Sequence, residues 1–157
     1  KDYWFDSWFK RNLINTVMNL IPIDRKIDGV RSFPIKDTLT LCKSFMNYNK
    51  RCLIFFPEGT RGKPGEITSF KRGASTFSIN LNKPIVPAVI FGSHRAWPKD
   101  KFLMQPGKIC VYILEPIYPS SFIKTESPTN EEVNKAIKGM TLELEQRIKE
   151  KAEFLYE

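Results

Sequence analysis

Leu53-Ile54-Phe55-Phe56-Pro57-Glu58-Gly59-Thr60-Arg61, followed after a Gly/Lys/Pro loop by Ser69-Phe70-Lys71-Arg72-Gly73-Ala74, decides how this chain is read. An apolar run of strand length stops at a proline, and a carboxylate, a glycine, a hydroxyl and a guanidinium come directly after it. Pro57 fixes its own φ and has no N–H for a ladder, so pairing weakens there and the chain is free to turn. Gly59 has no Cβ, which lets backbone and ligand approach closely. Arg61, Lys71 and Arg72 bring three positive charges to one loop, as a bound phosphate or carboxylate requires. A helix expected over residues 73–81 points its N–H groups and the positive end of its dipole at the same place. The stretch therefore predicts a strand over residues 52–56, apolar on both faces and so interior, that delivers an anion site at its end.

Toward the N-terminus, residues 37–49 have helical spacing, with Asp37 as N-cap and Leu39, Cys42, Phe45 and Met46 on the inner face. Ile21-Pro22-Ile23-Asp24-Arg25 reads as a short extended piece. Arg25 is open to two readings there, an anion ligand or a surface partner for Asp24 or Asp28. Residues 3–21 predict a helix with Trp4, Phe5, Trp8 and Phe9 on one face and Leu13, Ile14, Val17 and Met18 nearly opposite. The aliphatic half is expected on the sheet, the aromatic half at a membrane interface or against another part of the protein. The chain opens at Lys1 in what reads as mid-helix, so a piece of a longer protein is expected.

Toward the C-terminus, residues 84–91 predict a second buried strand with a bulge or a register break at Pro87, and residues 108–117 a third that alternates around Ile109, Val111 and Ile113. A linker rich in Ser, Thr and Pro leads to a last helix over 131–156, capped by Thr129 or Asn130. Ile137, Met140, Leu144, Ile148, Ala152 and Leu155 form its packing stripe, and mixed charges its solvated face. The order of elements predicts an α/β fold, a mixed β-sheet flanked by α-helices, in one domain over residues 1–157.

The balance of 25 Lys and Arg against 17 Asp and Glu gives a net charge of +8. That favours phosphorylated metabolites, acidic carriers, anionic lipids or nucleic acid without choosing among them. A nucleic-acid surface interleaves cations with exposed aromatics along one face, whereas these cations cluster near the motif loops, so no nucleic-acid partner is expected. Cysteines 42, 52 and 110 lack metal-type spacing and are assigned no chemistry. No apolar run reaches the about 18 to 20 residues needed to span a bilayer. There is no Gly-x-Ser-x-Gly elbow, no phosphate-binding P-loop and no carboxylate pair. The single histidine, His94, has Ser93 as its sequence neighbour, too close to imply a charge-relay pair. No metal and no cofactor is expected.

Ile21-Pro22-Ile23-Asp24-Arg25, Phe56-Pro57-Glu58-Gly59-Thr60-Arg61 and Ile85-Val86-Pro87-Ala88-Val89, in this order and at these intervals, resemble three of the four sequence blocks of the glycerolipid acyltransferases of the 1-acylglycerol-3-phosphate type. Ser69-Phe70-Lys71-Arg72-Gly73-Ala74 is similar to the family's segment just C-terminal to its third block. The resemblance implies transfer of a fatty acyl group from acyl-CoA or acyl-carrier protein to a hydroxyl of a glycerophosphate or lysophospholipid, at a membrane surface and on its cytoplasmic face. It implies that Arg25, Glu58, Gly59, Thr60, Arg61 and Lys71 bind the acceptor's phosphate and glycerol. Asn19 and Pro22 depart from the family, which more often has glycine and phenylalanine there. The family's first block, a histidine and an aspartate separated by four residues, is absent, and His94 does not replace it because the residue five positions on is Lys99. No catalytic residue is therefore assigned, and the chain is expected to be inactive alone. A non-catalytic module that binds anionic lipid or phosphate in the same cationic pocket is the alternative.

Overall fold

The computed structural model describes residues 35–47, 51–60, 62–63, 66–98, 101 and 103–156. The helix expected over 3–21 and the extended piece at 21–25 lie outside the described residues. The chain divides into two compact units, Lys1–Ile54 and Phe55–Glu157.

In the first unit, helix α1 spans Ile35–Asn47. Thr38 and Cys42, one turn apart, are buried, and Leu39, Phe45 and Met46 are half-buried beside them. The helix begins two residues before Asp37, so Asp37 lies in the first turn and is not the N-cap; its carboxylate still faces the positive end of the dipole. The Arg51 guanidinium stacks 4.7 Å above the Phe45 ring. Burial pushes the Cys42 thiol up, which keeps it a protonated packing group. The interior strand expected over 52–56, a run that continues from the first unit into the second, does not form a ladder. Ile54 and Phe56 are 80% and 75% exposed, and only Leu53 and Phe55 are half-buried. The run thus alternates with period two, a pattern its uniformly apolar composition conceals.

The second unit is built on helix α4, Asn130–Tyr156, of 27 residues. Thr129 starts it with a capping box: its Oγ1 accepts the Glu132 N–H at 3.3 Å, and the Glu132 carboxylate accepts the Thr129 N–H at 2.7 Å. The expected stripe is the buried one, with Ile137, Met140, Leu144 and Ala152 all under 8% exposed. Ahead of α4 in the chain, helix α2 spans Gly73–Leu81, strand β1 Ala88–Phe91, the short helix α3 Ser93–Ala96 and strand β2 Cys110–Ile113, with a 3₁₀ turn at Pro119–Ser121 inside the expected linker. Helix α2 packs on α4 through Ala74, which joins Ile117, Met140 and Leu144 in the core, with Phe55, Phe70, Ile85 and Phe122 closing around them. The Phe55 and Phe77 rings lie 5.1 Å apart, tilted by 51°. Between the helices, Thr141 Oγ1 is 2.9 Å from the fully buried Ser75 Oγ and 2.7 Å from the Ile137 carbonyl oxygen, so two buried hydroxyls satisfy each other. Asn82 ends α2 in the left-handed conformation at φ 49°, and the Lys83 N–H returns to the Ser78 carbonyl at 3.1 Å, closing the C-terminus.

Strands β1 and β2 pair antiparallel, Ala88 opposite Ile113 and Phe91 opposite Cys110. This is the sheet found among the described residues, the antiparallel part of the architecture expected. The break predicted at Pro87 is present: an isolated bridge joins Ile85 to Ile117, so residues 86–87 face 114–116 and one extra residue bulges from the second strand. The bulge reverses the phase of burial. Ile117 is 2% exposed, and extending its alternation backward turns Val111 and Ile113 inward; they are instead 58% and 73% exposed, as is Ile109 at 51%. Cys110 and Tyr112 are the half-buried residues of β2, Tyr112 opposite the buried Val89. Arg147 of α4 donates to the Glu115 carbonyl in the bulge at 3.2 Å and to the Glu143 carboxylate at 2.5 Å. Nor are residues 84–91 buried on both sides, since Val86 and Ile90 are 54% and 48% exposed. Gly92 at φ 87° turns the chain into α3, where a Cβ would collide with the Lys108 carbonyl oxygen.

One polar tie joins α4 to the segment that precedes α2. The Glu145 carboxylate accepts the Phe70 N–H at 2.8 Å and the Lys149 ammonium at 2.6 Å. The Lys149 hydrogen bond first, and the Phe70 amide second, hold the Glu145 carboxyl below its ordinary value.

Replacing Met140, 0% exposed, by alanine is expected to destabilise the fold by about 2 to 5 kcal/mol, read from the midpoint of denaturant unfolding. Because the folded Glu145 carboxyl is lowered, its contribution is fully present above the ordinary value of 4.5 and is lost as pH falls through the folded value. The stability difference between the native protein and Glu145→Gln should therefore be largest near neutrality and shrink in acid; a pH-independent difference in unfolding free energy contradicts this.

Candidate functional site

At Pro57 the chain closes a tight turn: the Gly59 N–H donates to the Phe56 carbonyl at 3.0 Å, and Gly59 takes φ 70°, a conformation that costs a residue with a Cβ. Residues 66–71 then return alongside the turn. The Lys71 N–H donates to the Pro57 carbonyl at 2.9 Å. The Glu58 carboxylate receives both the Thr68 N–H and the Thr68 hydroxyl, each at 3.1 Å. Glu58 thus fastens the returning segment to the turn.

Lys71 is the cation that this fastening brings to the turn. A Cβ built on Gly59 would lie 2.9 Å from Lys71 Nζ and 3.2 Å from both Cδ and Cε, so the lysine stem rests in the space that the glycine leaves open. Gly62 is close as well, its imagined Cβ 3.5 Å from a Glu58 oxygen and 3.1 Å from the Glu66 carbonyl oxygen. Gly59, Thr60 and Lys71 are exposed and Glu58 is half-buried, so the polar face of the turn is open to a ligand. The exposed Lys63–Glu66 pair, 3.8 Å apart, contributes little beyond loop shape. Helix α2 starts directly after Lys71 and Arg72; Arg72 is its N-cap residue and makes no side-chain cap, so the first-turn N–H groups carry no side-chain acceptor.

The structure therefore brings Glu58, Gly59 and Lys71 together, with Thr60 next in the chain. Arg25 and Arg61 lie outside the described residues. His94 is half-buried in α3. Among the described residues, no group of three His, Cys, Asp or Glu side chains is arranged to hold a metal ion, and no helix is long and apolar enough to cross a membrane. Sequence reasoning missed Glu145, which reaches the amide just before Lys71. Its only local signal is a lysine four residues on, which any solvated helix face can show.

The Acyltransferase family model matches residues 1–91, more than half of the chain and inclusive of the whole turn and its returning segment. The 1-acyl-sn-glycerol-3-phosphate acyltransferase of Cocos nucifera is 39% identical over 82 residues, covering 52% of this chain and 25% of the relative. The chloroplastic 1-acyl-sn-glycerol-3-phosphate acyltransferase BAT2 of Brassica napus is 30% identical over 128 residues, covering 81% of this chain and 35% of the relative. The chain thus spans about a quarter to a third of the length of these curated relatives. The crystal structure of the 1-acyl-sn-glycerophosphate acyltransferase PlsC from Thermotoga maritima superimposes with a TM-score of 0.62 over 94% of this chain and 52% of that one, at 24% identity, and supports the α/β fold. With more than half of the chain matched, including the Phe56–Arg61 block, the chain belongs to the Acyltransferase family.

Proposed function

We propose that this chain is part of a single acyltransferase domain that moves a fatty acyl group from a thioester donor, acyl-CoA or acyl-carrier protein, to a hydroxyl of a glycerophosphate or lysophospholipid, and that it supplies the acceptor's phosphate-binding part. The observation that carries the reading is the Lys71 ammonium held over the Pro57–Gly59 turn within the region the family matches. The names of the relatives support a 1-acylglycerol 3-phosphate as acceptor.

In the reaction the hydroxyl oxygen bonds to the acyl carbon, the C–S bond breaks, and the hydroxyl proton passes through a base to the departing thiolate. A phosphate dianion fixed beside the hydroxyl positions it for attack, and fixed cations suit that task. Lys71, Arg61 and Arg25 are the phosphate ligands in this reading. Thr60 offers a hydroxyl, Gly59 gives the room, and Glu58 keeps the loop closed on Thr68. No general base is assigned among residues 1–157, since His94 has Lys99 and no carboxylate five residues on. The net charge of +8 suits work at an anionic membrane surface, on its cytoplasmic face.

In the full-length enzyme, Lys71→Ala, Arg61→Ala or Arg25→Ala should each weaken acceptor binding by about 1.5 to 3 kcal/mol, read as a rise in acceptor KM with donor KM unchanged. Gly59→Ala should act in the same direction, since its new Cβ displaces Lys71. An unaltered acceptor KM across the series removes the phosphate assignment. Residues 1–157 alone should transfer no acyl group; turnover at the rate of the full-length enzyme overturns the acceptor-binding role, and phosphate or lipid binding without transfer by the full-length protein favours a non-catalytic module.

A further inference from the structure

Glu145 stands on α4, beyond the residues that the family match covers. Its side chain is only 19% exposed, and both of its oxygens are occupied: Oε2 by the Phe70 N–H at 2.8 Å and Oε1 by the Lys149 ammonium at 2.6 Å. Phe70 immediately precedes Lys71, whose own N–H closes the returning segment on the Pro57 carbonyl. The Phe70 ring packs against the core. Residue 70 is thus held twice, by apolar contact with the core and by a charge-assisted hydrogen bond to α4. A lysine side chain has four rotatable bonds, and where its ammonium rests depends first on where its Cα is held.

We propose that Glu145 is a positioning residue for the acceptor site: by tying the Phe70 amide to α4 it fixes Lys71 and keeps the ammonium over the Pro57–Gly59 turn. Lys149 assists by holding the carboxylate in the orientation that reaches Phe70. The inference rests on the reading of Lys71 as a ligand of the acceptor phosphate. It is separable from a purely structural role because α4 packs through Met140, Leu144 and Ile148, none of which needs Glu145.

The test uses the full-length enzyme with a 1-acylglycerol 3-phosphate as varied acceptor and the thioester donor at saturation. Glu145→Ala is expected to raise acceptor KM about fivefold or more while kcat stays within about twofold. Glu145→Gln, whose amide oxygen can still accept the Phe70 N–H, should restore most of that affinity. Added to Lys71→Ala, Glu145→Ala should raise acceptor KM no further, as expected of two residues acting through one group. If the alanine variant does not fold, Glu145→Asp, one methylene too short to reach the amide, carries the same expectation. An unchanged KM in Glu145→Ala beside a raised one in Lys71→Ala overturns the positioning role and leaves the acceptor reading intact. An unchanged KM in Lys71→Ala overturns both. A KM effect of Glu145→Ala that adds in full to that of Lys71→Ala also overturns the inference.

Discussion

The second unit depends on one apolar contact, the seat of Ala74, Ile117 and their neighbours on Met140 and Leu144 of α4. A 27-residue helix with a single buried stripe is the largest continuous surface on which short elements can hide their apolar sides. Helix α2 has nine residues and β1 and β2 have four each, too few to be stable alone. Their order comes from burial against α4. Polar detail is then added where the apolar contact has already brought groups close: Ser75 to Thr141 between helices, Arg147 to the bulge, Glu145 to Phe70. The segment that returns alongside the Pro57–Gly59 turn is consequently fixed from behind, by a helix far along the chain.

This order of dependence accounts for what was legible in the sequence. Helix α2, the stripe of α4 and its cap at Thr129 were legible because periodicity and capping are local, written within a few residues of each other. The turn at Pro57 was legible for the same reason, since a missing N–H acts wherever the chain goes. The phase of residues 108–117 was not, because the bulge that reverses it exists only through pairing with residues 85–88. The run at 52–56 misled in a related way: composition alone cannot say which of five apolar side chains a neighbour will cover.

The candidate site shows the same division. That Glu58, Gly59 and Lys71 belong together could be read from the motif and its resemblance. That Glu58 spends one of its oxygens on Thr68 could not, because Thr68 is an unremarkable residue in a loop until the chain folds back ten positions. Glu145 is the extreme case, 75 residues from the amide it receives. Residues that touch a ligand tend to announce themselves by type, whereas residues that hold them in place are ordinary charges distinguished only by position.

The bulge opposite Pro87 has a consequence for how this chain can change. Tyr112 and Ile117 are separated by an odd number of positions, yet both turn toward the interior, and only the surplus residue between them makes that possible. Deleting one residue from 114–116, or inserting one, forces one of the two side chains to the outside. In a segment that otherwise resembles a tolerant surface loop, length is therefore a stricter inheritance than identity.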